Sequence, residues 1–317
     1  MTEQIAARFR RFAEVEAHGS SPLYETFASG VAVDAFAREF LQTLPRAKRQ
    51  PNLLFAALRH VCGTPADWPT FRAMLRNHAA EIRAIMLERR TQTNEAGRCA
   101  VLLPVLSRLP QPLALLEVGA AAGLCLLPDR YGYDYDGQRL AAPSLEAPVF
   151  PCRVNAATPV PRQQLRIAWR LGLDLHPLDV ANAEHSTWLE TLVWPEHGDR
   201  LQRLRAALTV ARRDPPRVMR GDLLQDLASC VLQARAGATL VVFHSAVLGY
   251  VPEVALREEF ACEVRRSGAV WVSNEAPGVF RSIEVPRGPR GAFVLSVDGT
   301  PQAWTDPHGK WIEWISE

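Results

Sequence analysis

From Leu113 onward the chain alternates short apolar runs rich in β-branched residues with longer helical patterns, and this alternation restricts the folds open to it. The runs are LALLEV (113–118), RIAWRLGLDL (166–175), RVMRG (217–221), ATLVVFHS (238–245) and AVWVSNE (269–275). Helical segments such as Trp188 to Ala211 and Val254 to Arg266 separate most of them. Parallel strands need a long crossover, and a helix is the compact way to make one. The pattern therefore predicts an α/β fold with a doubly wound, mostly parallel sheet. The end of the chain differs: GAFVLSVDG and KWIEWI flank a polar stretch and read as an antiparallel C-terminal strand pair that closes the sheet.

Before about Pro112 the period is helical. Ile5, Phe9 and Phe12, then Phe71, Met74, Leu75, His78, Ile82 and Ile85, recur at spacings of three and four, and prolines at 22, 45, 51 and 65 mark boundaries. The expected organisation is a helical cap over residues 1–112 and a sheet domain over 113–317, with an insertion at 126–165. That insertion holds YGYDYDGQRL, where Asp136-Gly137 suits a tight hairpin, and a proline-rich tail.

Composition narrows the function classes. Thirty-six basic and 34 acidic residues leave a formal charge of +2, with no basic excess that points to nucleic acid. The six cysteines are far apart and form no C-x-x-C pair, which reads as free thiols in a reducing cytoplasm, with no metal site expected. No run approaches the ~20 apolar residues of a membrane span, and the N-terminus lacks an apolar signal core, so a cytoplasmic location with no membrane partner is expected.

In an open parallel sheet, ligands bind at the carboxyl ends of the strands, so the residues that follow each run are the candidates. After the first come Glu117, Gly119, Ala121 and Gly123, an E-x-G-x-x-x-G turn in which a following helix would offer free N–H groups. It departs from the dinucleotide G-x-G-x-x-G, and the competing reading is a tight turn with small packing residues. Asp174 ends the second run and could accept from both hydroxyls of a ribose; Asp134 and Asp136 compete for this role by their distance from the glycine turn. Asp222 and Leu223 follow the third run, where an acid could face an adenine amino group or cap a helix. His244 ends the fourth and is the candidate general base, with Tyr250, Asn274 and Glu275 as polar groups orienting a substrate. Ser245 beside His244 allows a hydrolase reading, although adjacent strand residues face opposite sides and no G-x-S-x-G elbow is present.

Taken in order, these strand-end positions resemble a class I S-adenosylmethionine-dependent methyltransferase with a Rossmann-like domain. The resemblance implies that the glycine turn with Glu117, Gly119, Ala121 and Gly123 cradles the amino-acid part of S-adenosylmethionine, that Asp174 binds ribose, and that Asp222 with Leu223 reads adenine. Ala121 stands where that family usually has a middle glycine, and the long insertion is atypical of it. Nearly end to end, the chain also resembles a bacterial domain family of unknown function numbered 2332. That likeness is carried by QTNEAGRC (92–99), LLEVGAAAGLCLLPDRYGYDY (115–135), GLDLHPLDV (172–180), WLETLVWPE (188–196), RVMRGDLL (217–224), VVFHSAVLGYVP (241–252) and WVSNEAPGV (271–279). It directs attention to Asn94 and Glu95, read as substrate contacts or as helix caps, and to Arg98, which by analogy with methyltransferases would lie near a carboxylate of the cofactor. The leading expectation is a methyltransferase acting on a small molecule held between cap and sheet. A non-catalytic ligand-binding or regulatory protein on the same fold comes second, and the hydrolase last.

Overall fold

The computed structural model describes residues 2–92 and 94–315. Six helices come first: α1 (Thr2–Arg11), α2 (Pro22–Val33), α3 (Ala35–Gln42), α4 (Pro51–Cys62), α5 (Trp68–Asn77) and α6 (Ala79–Glu88). Then follow α7 (Cys99–Leu106), β1 (Leu113–Val118), β2 (Gly132–Tyr135), β3 (Gln138–Leu140), β4 (Val149–Pro151), β5 (Arg153–Val154) and β6 (Ile167–Asp174). Helices α8 (Ala183–Leu192) and α9 (Gly198–Arg213) lead to β7 (Val218–Arg220), α10 (Leu227–Val231), β8 (Thr239–Ser245), α11 (Val254–Arg266) and β9 (Val270–Glu275). Three strands, β10 (Phe293–Val297), β11 (Thr300–Thr305) and β12 (Trp311–Trp314), end the described chain.

The chain divides into two compact units, and the division differs from the expected one at residue 112. One unit holds residues 1–93 together with 184–202; the other holds 94–183 and 203–317. The second stretch joins the helices for a visible reason. Trp188 and Leu192 on α8 are apolar and buried in the same cluster as Phe9, Phe27, Phe55 and Phe71. Phe55 is the hub, its ring centroid 4.8 Å from Tyr24 and 5.7–6.1 Å from Phe9, Phe12, Phe27 and Phe71. Edge-on pairs of this kind each add about 0.5–1.5 kcal/mol beyond the area they bury. Polar contacts then fix the returning segment: Arg59 Nη1 donates to the carbonyls of Thr191 and Val193, while Glu196 accepts from Ser21 Oγ and Leu23 N–H at the start of α2. The apolar stripe read through His78 is two helices, because the backbone breaks at His78 (φ −120°), between α5 and α6. The helix expected from Trp188 to Ala211 is likewise two, parted around Pro195.

The second unit is built on a nine-stranded sheet in the order β5-β12-β11-β10-β9-β8-β1-β6-β7. Strands β7, β6, β1, β8 and β9 run parallel, and all five coincide with the apolar runs found in the sequence. Central β1 is buried along its whole length, as a strand covered on both faces must be. The C-terminal end is a three-strand antiparallel meander rather than a pair, since the polar stretch TPQAWT is itself β11. The Asp298-Gly299 turn, with φ of 51° and 87°, links β10 to β11.

The expected helix after β1 is absent. After Gly123 the chain makes 3-10 turns at Leu124–Leu126 and Pro128–Arg130 and then enters a separate three-stranded sheet, β3-β2-β4, formed by the insertion. Asp136-Gly137 turns between β2 and β3, with φ of 49° and 92°, as a tight hairpin requires. Tyr131, Tyr133 and Tyr135 alternate along this segment and are buried. Their hydroxyls donate to the carbonyls of Leu124, Pro128 and Ala100, so the insertion is pinned to the turn after β1 and to α7.

Candidate functional site

Three left-handed residues shape the turn after β1: Gly119 (φ 72°), Ala121 (φ 50°) and Gly123 (φ 72°). A Cβ on Gly119 would lie 2.3 Å from Val247 Cγ2, and one on Gly123 would lie 2.8 Å from Pro216 Cγ, so both glycines are also required by packing. The turn spends nearly all its amides internally. Gly119 and Ala120 donate to Leu173 O, Ala121 to Asp174 Oδ2, Gly123 to Ala120 O and Leu124 to Asn94 Oδ1. Phosphate cradles work by aiming such amides at the ligand, so this turn is not built for one. Asp174 Oδ1 accepts from His176 N–H as well, so this acid, partly exposed, straps the end of β6 to the glycine turn. Asn94 likewise caps the 3-10 turn after Gly123.

A row of polar side chains crosses the carboxyl end of the sheet on its α7 side. Strand register puts Glu117, Ser245, Asn274 and Thr305 on this face. Thr305 Oγ1 donates to Asn274 Oδ1 at 2.7 Å, and Asn274 Nδ2 donates to Ser245 Oγ at 3.0 Å. Arg98, 9 % exposed, reaches the row from the turn before α7. Its Nη1 donates to Ser245 O and its Nε to Pro307 O, and it has no carboxylate ion pair among the described residues. Glu117 lies alongside, and its Oε2 is buried with no hydrogen-bond partner among the described residues. Burial, and then Cys125 beside it, push this carboxyl well above the ordinary carboxylate range, while Arg98 pulls the other way. Arg98 and Glu117 sit between β1 and β8, where the strand order reverses direction and open parallel sheets leave their crevice. Glu95 caps the turn through Gly97 N–H, and His308 Nδ1 lies 3.6 Å from its Oε2.

His244 belongs to the opposite face. It is fully buried against Phe260, Trp271 and Phe280. Trp271 Nε1 donates to its Nε2 at 3.0 Å, which leaves Nδ1 to carry the proton and donate to Glu275 Oε1 at 2.8 Å. That same oxygen accepts from the amides of Val247 and Leu248. Both ring nitrogens are thus occupied by the protein, a geometry that holds the loop after β8 and offers no lone pair to a substrate. The general-base role expected of His244 does not fit it. His244 and Ser245 point to opposite faces of β8, which separates the nucleophile and base a hydrolase would need.

After β7, Asp222 Oδ1 accepts from Leu224 and Gln225 N–H, a turn cap, and the residue is partly exposed with Leu223 beside it. Tyr250 is exposed and lies apart from the buried polar row. Asp134 and Asp136 are occupied in the insertion: Asp134 accepts from Gly137 N–H and Arg139, and Asp136 from Val154 N–H. Among the described residues, no group of three His, Cys, Asp or Glu side chains is placed to hold a metal ion.

A family model described as an uncharacterized protein conserved in bacteria, DUF2332, matches residues 6–314. The chain belongs to the DUF2332 family. No curated protein and no solved structure matches it. In this DUF2332 chain the residues fit an adenosyl cofactor in part. Asp174, Asp222 and Leu223 lie at the ends of neighbouring strands with exposed surface, Arg98 is a buried cation held by two backbone carbonyls, and Glu117 Oε2 is buried without a hydrogen-bond partner among the described residues. The glycine turn fits less well, since Val247 and Pro216 fill the space its missing side chains leave. Thr305 joins the buried polar row through strand register, Cys125 lies beside Glu117 from the 3-10 turn after Gly123, and Trp271 holds His244 on the opposite face; none of the three was singled out by sequence as a site residue.

Proposed function

We propose that this protein binds S-adenosylmethionine at the carboxyl edge of a Rossmann-like domain and acts as a methyltransferase on a small molecule. The observation that carries the reading is the buried Arg98 beside Glu117 at the strand-order reversal, a site with a cation that has no carboxylate ion pair among the described residues and a carboxyl with one unpartnered oxygen, but few free amides. A cofactor with a carboxylate and an amine but no phosphate suits that inventory; a dinucleotide does not. In chain order the parallel strands are arranged third, second, first, fourth, fifth, which supports the Rossmann-like assignment.

Arg98 would pair with the carboxylate of the cofactor, Asp174 would accept from the ribose hydroxyls, and Asp222 with the Leu223 amide would meet the adenine edge. Bound there, S-adenosylmethionine supplies an activated methyl group. The chain's own task is then alignment, because an in-line displacement needs no general base when the acceptor is already nucleophilic. The occupied ring of His244 is compatible with that chemistry. It also favours the second reading, a ligand-binding or regulatory protein that catalyses nothing.

Calorimetry with S-adenosylhomocysteine tests the proposal on wild type and on Asp222→Ala. Binding to wild type, weakened about tenfold or more in the variant as the loss of a hydrogen bond to a charged group predicts, supports it. No heat with wild type overturns it. Binding without methyl transfer to a panel of small acceptors favours the second reading.

A further inference from the structure

Glu117 is the penultimate residue of the central strand, with Gly172 across one register and Phe243 across the other, neither of which can donate a side-chain hydrogen bond. The ionisable groups around it come from four other elements: Arg98 from the turn before α7, Cys125 from the 3-10 turn after Gly123, Asp174 from the end of β6, and Tyr131 from the approach to β2. Only Arg98 is a cation, and it is committed to two backbone carbonyls. An ionised carboxylate with a buried, unpartnered oxygen would carry the full cost of its desolvation, whereas a protonated carboxyl carries much less. The site therefore has two electrostatic solutions, a proton on Glu117 or a cation brought by a ligand.

We propose that Glu117 is the specificity switch of this edge: it holds a proton in the free protein and releases it to solvent when a ligand places an ammonium group against Oε2 while its carboxylate meets Arg98. The step is a proton exchange only. Glu117 O–H breaks, the proton passes to buffer, and the carboxylate formed accepts an N–H bond from the incoming cation. The identity of the ligand rests on the adenosyl reading above; the proton on Glu117 in the free protein does not. The switch selects zwitterions and disfavours nucleosides that lack the amino-acid part, since these leave the proton in place.

Two measurements separate the parts. In the free protein, thermal unfolding of wild type and Glu117→Gln is compared from pH 5 to 8. A carboxyl whose folded pKa is raised contributes stability that is fully present below its unfolded value of about 4.3 and is lost as pH rises toward the folded pKa. Wild type should therefore lose Tm relative to the glutamine variant as pH rises. Parallel curves overturn the proposal. Should the variant fail to fold, the protonated-carboxyl band in the infrared spectrum of wild type at pH 7 decides the same point, and its absence overturns the proposal. Calorimetry in two buffers of different ionisation enthalpy then reads proton release, with S-adenosylhomocysteine and 5′-methylthioadenosine as probes. About one proton per bound S-adenosylhomocysteine in wild type, and none with 5′-methylthioadenosine or in Glu117→Gln, is expected. Binding of S-adenosylhomocysteine without proton release overturns the switch. No binding of either probe overturns the adenosyl reading, while the unfolding curves still decide whether Glu117 holds its proton.

Discussion

His244 shows how a residue's place in a sequence and its environment can lead to different roles. A histidine at the carboxyl end of a parallel strand is a natural candidate for proton transfer, yet its partners, Trp271 and Glu275, lie 27 and 31 residues away and close both of its nitrogens. Removing the ring leaves the Trp271 indole N–H without its acceptor and Glu275 without one of its donors, in a fully buried setting. His244→Ala should therefore lower stability by about 2–4 kcal/mol, as measured by denaturant unfolding, because orphaned buried polar groups retain their desolvation cost. A catalytic base would behave otherwise, with turnover lost and the unfolding midpoint unchanged. Arg98 is the converse case. The sequence drew attention to it only by analogy, as a residue near a cofactor carboxylate, and its bonds to the carbonyls of Ser245 and Pro307, which hold it at the strand-order reversal, come from segments distant in the chain.

At the level of elements, the turn after β1 combines two constraints that can be pulled apart. Gly119→Ala forces a left-handed alanine, at about 1–2 kcal/mol, and drives its methyl into Val247, at about a further 1–3 kcal/mol. Adding Val247→Ala should recover the steric part and leave the backbone part, a difference that a double-mutant cycle of unfolding free energies measures. The five parallel strands were legible in sequence because each is a compact β-branched run that must be buried. β11 was not, since Thr300, Pro301 and Gln302 are polar or hydrogen-bond-poor, and the strand is recruited by its neighbours and by the Asp298-Gly299 turn. The helix expected after Gly123 failed for the opposite reason. It was expected from the glycine turn, whereas Pro128 and the alternating tyrosines that follow are better suited to turns and a strand. Of the candidate site, the strand-end acids were readable from position alone. Which of them the protein occupies, and which it leaves unsatisfied, depends on loops brought together from distant parts of the chain.

For the molecule as a whole, the boundary between units is not a cut in the sequence. A fragment comprising residues 94–317 would carry α8 without the helices that bury Trp188 and Leu192. It should expose that apolar face, bind a hydrophobic dye and aggregate more readily than the full chain, and a Trp188→Gln, Leu192→Gln version of the same fragment should lose most of this effect. Solubility and dye fluorescence of the two fragments check this expectation. The same threading has a consequence in time. Arg59 waits for the carbonyls of Thr191 and Val193, 132 and 134 positions later, and Ser21 waits for Glu196, 175 positions later. At a synthesis rate of roughly 5–20 residues per second, the first helices leave the ribosome on the order of ten seconds before the segment that closes their core. During that interval their aromatic cluster is a nascent chain with an open side, the stage at which a chaperone that shields apolar surface would have the most to hold.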